Sequence, residues 1–550
     1  MLKKNWAPCL VLLVSQGAAA QSMPSAGSQM QQLPVVPSFP SNAPRVEVTP
    51  SVTKLAQPDQ AAAFVVQQLN VLGASAYTPN ELLEVAEFKP GRTMNLQALF
   101  VMADKITQHY RRGGFLVARA YLPAQEVRDG AVTLTVLEGQ YGQVALNNTS
   151  TLDSQVPSKL LSGLNPGGVI TLEPLEERLL RLSEVPGVQV RSTLVPGASV
   201  GLSDLIVEVK PGALVSGSVD ADNAGNRYTG ENRIGVTLNL NNPTGHGDQA
   251  SLRALTSGSG LRYARLAYQT WVGRGRVGVA YSDLAYELGH QFKGPNANGH
   301  ARIATLFGNH PLVRSRNANL SAGLTLDSKL FQDHAVDTDK RVQVATASLT
   351  GDHRDAWSGG GLNTYSLAWS TGHLDIRRPD ARALDAVTAQ SDGFYNKLFF
   401  AASRLQQATK TLSFMASLSG QMASKNLDAS EKMGLGGMYG VRAYPEGEAY
   451  ADEGYLLTLE ARQQLPLPPN MLGQLQAAAF IDAGEVKFNH SSWAEGSRRR
   501  HLSGAGLGLY WTRTNRFSVK AFYARKLGSA DALSAPDKSG RFWIQAVKYF

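Results

Sequence analysis

The sequence predicts a transmembrane β-barrel of about sixteen antiparallel strands behind two small α/β repeats. Three observations predict it. An apolar leader marks the chain for export, helical periodicity is confined to the part before residue 211, and a two-residue alternation then runs to the C-terminus. No later segment is apolar for long enough to cross a bilayer as a helix, and a closed barrel is the other structure that satisfies its backbone in lipid.

Composition narrows the function classes. A chain of 550 residues implies more than one domain. The net charge of +9 is spread through it without the basic run of a nucleic-acid arm, so no nucleic-acid partner is expected. Cys9 is the single cysteine and lies in the leader, which leaves nothing for a disulfide framework or a thiolate metal site. The 53 Gly and 26 Pro are scattered as punctuation, which excludes collagen-like and low-complexity chains.

Taken in order, residues 1–20 read as a signal peptide: Lys3 and Lys4, the apolar run from Leu10 to Val14, and Ala18, Ala19 and Ala20 as the cleavage site. Residues 21–57 are a linker rich in Pro, Ser and Gln, which forbids a long helix. The first repeat, 58–139, has a strand at 64–71, a short helix capped by Asn80, an amphipathic helix at 95–112 stopped by Gly113, and strands at 115–122 and 132–137. The second, 140–211, repeats the order β-α-α-β-β with strands at 144–146, 188–194 and 205–209 and helices at 158–164 and 173–182. Two unrelated α+β domains are the alternative to a repeat.

Residues 212–550 are the barrel. Val236, Leu238 and Leu240 share one face and Thr237, Asn239 and Asn241 the other; 319–326 and 411–422 alternate in the same way. Short turns at 241–247, 273–275 and 466–469 alternate with long polar loops at 289–300, 327–340, 372–392, 423–452 and 488–500, an asymmetry that a soluble sandwich has no reason to show.

Candidate chemistry is sparse. Gly273–Gly278 fits G-x-G-x-x-G but lies between two strands, where a dinucleotide site needs a strand and a helix. Neither a Walker A loop nor H-E-x-x-H occurs, so neither catalysis nor a cofactor is expected. One long-range pair stands out. Alternation points Phe480, Asp482 and Gly484 into the lumen, and the longest loop carries Val441, Arg442, Ala443 and Tyr444 among glycines. Folded inward, that loop would set the Arg442 guanidinium against the Asp482 carboxylate; a solvated arginine and a solvated aspartate are the alternative.

These residues resemble the outer-membrane transporters of two-partner secretion (TpsB), the filamentous-haemagglutinin and haemolysin exporters of the Omp85 superfamily, over the whole mature chain. Val441-Arg442-Ala443-Tyr444 is similar to the family's V-R-G-Y loop motif, Phe480, Asp482 and Gly484 to its F-x-D-x-G strand motif, and residues 222–230 with Asn241-Asn242-Pro243 to its first hairpin. The resemblance implies two periplasmic POTRA domains that bind an unfolded, TpsA-like exoprotein, and a sixteen-stranded barrel in the outer membrane of a Gram-negative bacterium. It further implies a loop locked by Arg442 and Asp482, surrounding outer-membrane lipid, the barrel-assembly machinery during biogenesis, and transport without nucleotide. An insertase of the same superfamily and a passive porin are the rival functions. Two departures stand out: Ala443 replaces the motif glycine and would be strained if φ were positive there, and only about residues 25–33 are left to form the family's plug helix.

Overall fold

The computed structural model describes residues 23–34, 36, 46–48, 63–294, 296–493 and 497–550. The signal-peptide reading of residues 1–20 and most of the linker lie outside them.

In the first repeat the long helix Leu96–Arg112 is capped by Asn95, whose Oδ1 accepts from the Ala98 amide at 2.9 Å. It buries Leu99, Met102, Ala103, Ile106 and Tyr110 against a sheet ordered Gln68–Leu72, Ala131–Leu137, Arg119–Tyr121. The short helix Pro79–Val85 differs from the sequence reading: its cap is Thr78, which exchanges hydrogen bonds with Glu81 while Pro79 fills the first helical position. The expected strand at 64–71 is broken at Gln67 into Phe64–Val66 and Gln68–Leu72, and Arg92–Met94 is an extra strand paired with the first piece. Of residues 115–122 only Arg119–Tyr121 is a strand. The order of this unit is therefore longer than β-α-α-β-β. Glu138 ties it together: its carboxylate accepts from the amides of Ser75 and Ala76 at 2.6 and 2.8 Å and from the Tyr110 hydroxyl at 3.0 Å. Burial opposes its ionisation, but those hydrogen bonds outweigh it and hold the carboxyl below its ordinary range.

The second repeat does follow the β-α-α-β-β order, with Gln140–Asn148, Gln155–Leu160, Leu172–Ser183, Val188–Pro196 and Leu202–Pro211. A fourth strand, Val46–Val48 of the linker, lies parallel to the sheet edge and pairs with Ser192–Leu194. This repeat sits on one mouth of the barrel. Val185 packs with Trp271, the Asp153 amide donates to the Gly245 carbonyl at 2.8 Å, and Glu184 pairs with Arg276 and Arg314.

From Val215 the chain forms sixteen antiparallel strands, each paired with the next, and Gly540–Tyr549 closes the ring on Val215–Asp222. The alternation has its physical cause here: Ile234, Leu238, Leu240, Leu252 and Leu266 are exposed outward, while Arg233, Thr237, Asn241 and Arg253 are buried inward. The loops are shorter than expected at two places. Residues 327–340 are mostly strand, because Ala318–Asp333 and Thr338–Asp355 pair through sixteen positions and carry polar residues beyond the apolar band. Within 372–392 the strand runs on to Ile376 and Pro379–Val387 is a helix. Residues 466–473, expected as a short turn at 466–469, make a longer connection.

Candidate functional site: the lumen and its lock

The loop between Leu412–Ala423 and Glu453–Leu465 folds back into the barrel. Its tip is a tight turn in which the Tyr444 amide donates to the Val441 carbonyl at 3.0 Å and the Val441 amide to Leu435 at 2.8 Å. Val441, Ala443 and Tyr444 have no solvent exposure.

The turn aims Arg442 at the wall. Its Nε donates to Asp482 Oδ2 at 2.8 Å, Nη2 to Oδ1 at 2.9 Å, and its own backbone amide to Oδ2 at 3.1 Å. This is the planar two-pronged match that guanidinium makes with carboxylate. Thr458 supplies a further donor to Asp482 at 3.0 Å, and Trp543 Nε1 donates to the Arg442 carbonyl at 2.7 Å. The guanidinium carbon stands 3.3 Å over the Phe480 ring and 4.9 Å from that of Phe522. Asp482 is 0% exposed and Arg442 5%, so both charges are desolvated and depend on each other. Gly484 makes room: a Cβ there would lie 2.5 Å from Leu435 of the loop and 2.6 Å from the Tyr455 carbonyl. The structure thus gathers Val441, Arg442, Tyr444, Phe480, Asp482 and Gly484 around one contact.

Ala443 is accommodated without strain. Its φ is negative, and its methyl faces Gly504, where any Cβ would come within 2.5 Å of it. The missing hydrogen of one glycine is offset by a glycine on the wall.

Sequence reasoning missed the partners around this pair. Glu460 accepts from Arg442 Nη1 at 3.1 Å, from Arg462 at 2.6 Å and from the Tyr510 hydroxyl at 2.7 Å. It also missed a second anchorage on another part of the wall. Glu431 of the loop takes Lys329 and Lys397, each at 2.7 Å, and Asp428 takes Lys340 at 2.7 Å. All three lysines face inward by strand parity, and the acidic loop segment was the available signal.

The linker contributes a short helix, Ala26–Gln31, inside the barrel at the mouth away from the repeats. Ser25 and Ser28 form a reciprocal cap. The Ala26 amide donates to Asp333 at 2.7 Å, Thr229 donates to Gln29 Oε1 at 2.8 Å, and Arg233 donates to the Gln32 carbonyl at 2.8 Å. Gly27 abuts Ser430, and Tyr450 donates to the Ser28 carbonyl at 3.3 Å, so helix and loop form one stopper.

Residues 201–511 match the model of the haemolysin secretion/activation protein family ShlB/FhaC/HecB, and residues 64–139 match the ShlB-type POTRA domain. The heme/hemopexin transporter protein HuxB of Haemophilus influenzae strain 86-028NP is 28% identical over 98% of this chain and 97% of its own. The outer membrane transporter CdiB of Escherichia coli strain 536 is 24% identical over 98% and 93%. The structure of CdiB from Escherichia coli superimposes with a TM-score of 0.67 at 21% identity, covering 91% of this chain and 93% of that one. The chain belongs to the haemolysin secretion/activation family, the outer-membrane β-barrel transporters of two-partner secretion.

Proposed function

We propose that this chain is the pore for one large, β-rich exoprotein of adhesin, haemolysin or haemagglutinin type, received unfolded by two repeats on the periplasmic side. In this reading residues 1–20 are removed on export, 58–139 and 140–211 are the receiving repeats, and 212–550 stand in the outer membrane. The observation that carries it is the stopper. A bore filled by the chain's own helix, and by a loop held through a desolvated Arg442–Asp482 pair, suits a conduit that opens for a particular cargo. Val441, Tyr444, Phe480 and Gly484 shape the seat of that pair.

Neither enzymatic chemistry nor nucleotide enters the scheme; folding of the cargo outside the cell gives direction. Lipid covers the exposed Leu and Val rows of the wall, and the barrel-assembly machinery handles the newly exported chain. A passive porin has no use for receiving repeats, and insertases of the superfamily typically carry more of them than two.

Comparative mass spectrometry of medium and outer membranes, with and without the protein, tests the reading. Loss of one large exoprotein with an intact outer-membrane profile is expected. A general loss of outer-membrane barrels would mean an insertase instead, and unchanged fractions while the neighbouring exoprotein gene is expressed would overturn export.

A further inference from the structure

The charges that line the lumen are distributed unevenly. Toward the stopper they are matched: Lys329 and Lys397 with Glu431, Lys340 with Asp428, Lys432 with Asp452, Arg233 with Asp222. Toward the repeats cations outnumber carboxylates. A cleft of about 830 Å³ opens between the helix Leu172–Ser183 and the barrel wall, and its charged lining is Arg276, Arg314, Arg316 and Arg354 against Glu184 and Asp352. Glu184 alone serves both Arg276 and Arg314, and Arg276 also stacks 4.4 Å over the Trp271 ring. Arg316 is held by Glu176 at 2.6 Å, and Asp352 is engaged by Asn319 at 3.0 Å.

Arg354 has no carboxylate partner among the described residues, and the same holds for Arg265, farther along the strand that carries Trp271 of the cleft. Arg265 stands directly opposite Arg253 in the strand register, a like-charge pairing that costs stability, and Asp220 neutralises only Arg253. Unpaired guanidinium groups kept on a semi-enclosed wall attract counter-charge, and the wall's low dielectric strengthens that pull.

We propose that this half of the lumen is a cationic guide for carboxylate-rich, extended stretches of the exported polypeptide, with the cleft at Glu184 as its entrance. The Glu184 carboxylate between two arginines marks the geometry that an incoming Asp or Glu side chain takes up. Arg354 and Arg265 offer the next contacts along the bore. Each contact is weak because it stays in water's reach, which lets a chain slide from one to the next and leave. The proposal rests on the export reading above and names the chemistry of the segment received.

The test uses the purified full-length protein in detergent and a fluorescent poly-glutamate peptide, with poly-lysine as its control. Poly-glutamate is expected to bind, to weaken as salt shortens the Debye length, and to lose about tenfold in affinity in Arg265→Gln/Arg354→Gln. Neither arginine has an ion-pair partner to orphan among the described residues, and a heat-dependent gel shift verifies that the barrel is folded; Arg354→Gln alone serves as a second variant with a smaller loss. Equal binding of poly-lysine, or an unchanged affinity in both variants, would overturn the guide. Export that continues in a protein indifferent to poly-glutamate overturns the guide alone, whereas poly-glutamate binding by a protein that exports nothing overturns the transport reading.

Discussion

The two halves of the lumen are built on opposite rules. In the half away from the repeats, Lys329, Lys340 and Lys397 of the wall meet Glu431 and Asp428 of the returning loop, Arg442 of that loop meets Asp482 of the wall, and Tyr444, Leu435 and Ala26 fill the space between them. In the half beside the repeats, the wall keeps Arg265 and Arg354, which no carboxylate meets among the described residues. A closed region tolerates buried charge only in satisfied pairs, because desolvation is otherwise uncompensated. An open region can leave charges to water and to whatever passes. The contrast separates a part of the bore that must hold from a part that must let go.

The comparison can be broken most forcibly at its closed end. Arg442→Ala orphans the desolvated Asp482 carboxylate, a loss of about 3–5 kcal/mol, and Asp482→Ala strips Arg442 of its two-pronged partner and leaves it the single contact to Glu460. We expect export to fall severely while the barrel still inserts, as read from cargo in the medium and from heat-modifiability in membranes; wild-type export by both variants would remove the lock from the mechanism. Glu431→Gln leaves Lys329 and Lys397 without their carboxylate, at a cost of about 1.5–3 kcal/mol. Faster hydrogen exchange around Asp428–Glu431 is expected, with exchange at Arg442 little changed if the two anchorages are independent.

A change outside the bore sharpens the contrast by leaving it alone. Glu138→Gln should cost the first repeat about 1–3 kcal/mol and not alter pore conductance. Because the folded carboxyl titrates below its ordinary range, its contribution is full above the unfolded value and is lost as pH falls through the folded one. Exchange in Leu96–Arg112 of the intact chain should therefore rise on acidification in the wild type, and much less so in the variant. The smallest effect is expected for Ala443→Gly. It gives up one buried methyl and adds backbone freedom, about 1 kcal/mol in all, and export should stay near wild type.

The barrel was legible because lipid and lumen impose a two-residue period on every strand, so Leu238 and Asn239 declare their faces without any knowledge of their neighbours. Asp482 was legible for the same reason, and Arg442 through its motif. The loop boundary at 327–340 was not, since strands that project beyond the apolar band keep their hydrogen bonds but lose the apolar half of the signal. Asn80 lost to Thr78 because two good capping residues stood two apart and only the first has Glu81 three positions later. The second anchorage was hidden for another reason. Lys329, Lys340 and Lys397 sit on three different strands, and nothing in a linear sequence places them around Glu431. Ala26–Gln31 is too short for periodicity, and its burial comes entirely from the barrel around it.

One covalent feature sets a limit on movement. Fourteen residues, 32–45, connect the end of the lumen helix to the strand at Val46 that pairs along Ser192–Leu194. Such a leash reaches at most about 50 Å when drawn straight. The helix inside the bore and the three-residue pairing on the sheet edge are therefore tied, and neither can travel farther than that reach from the other.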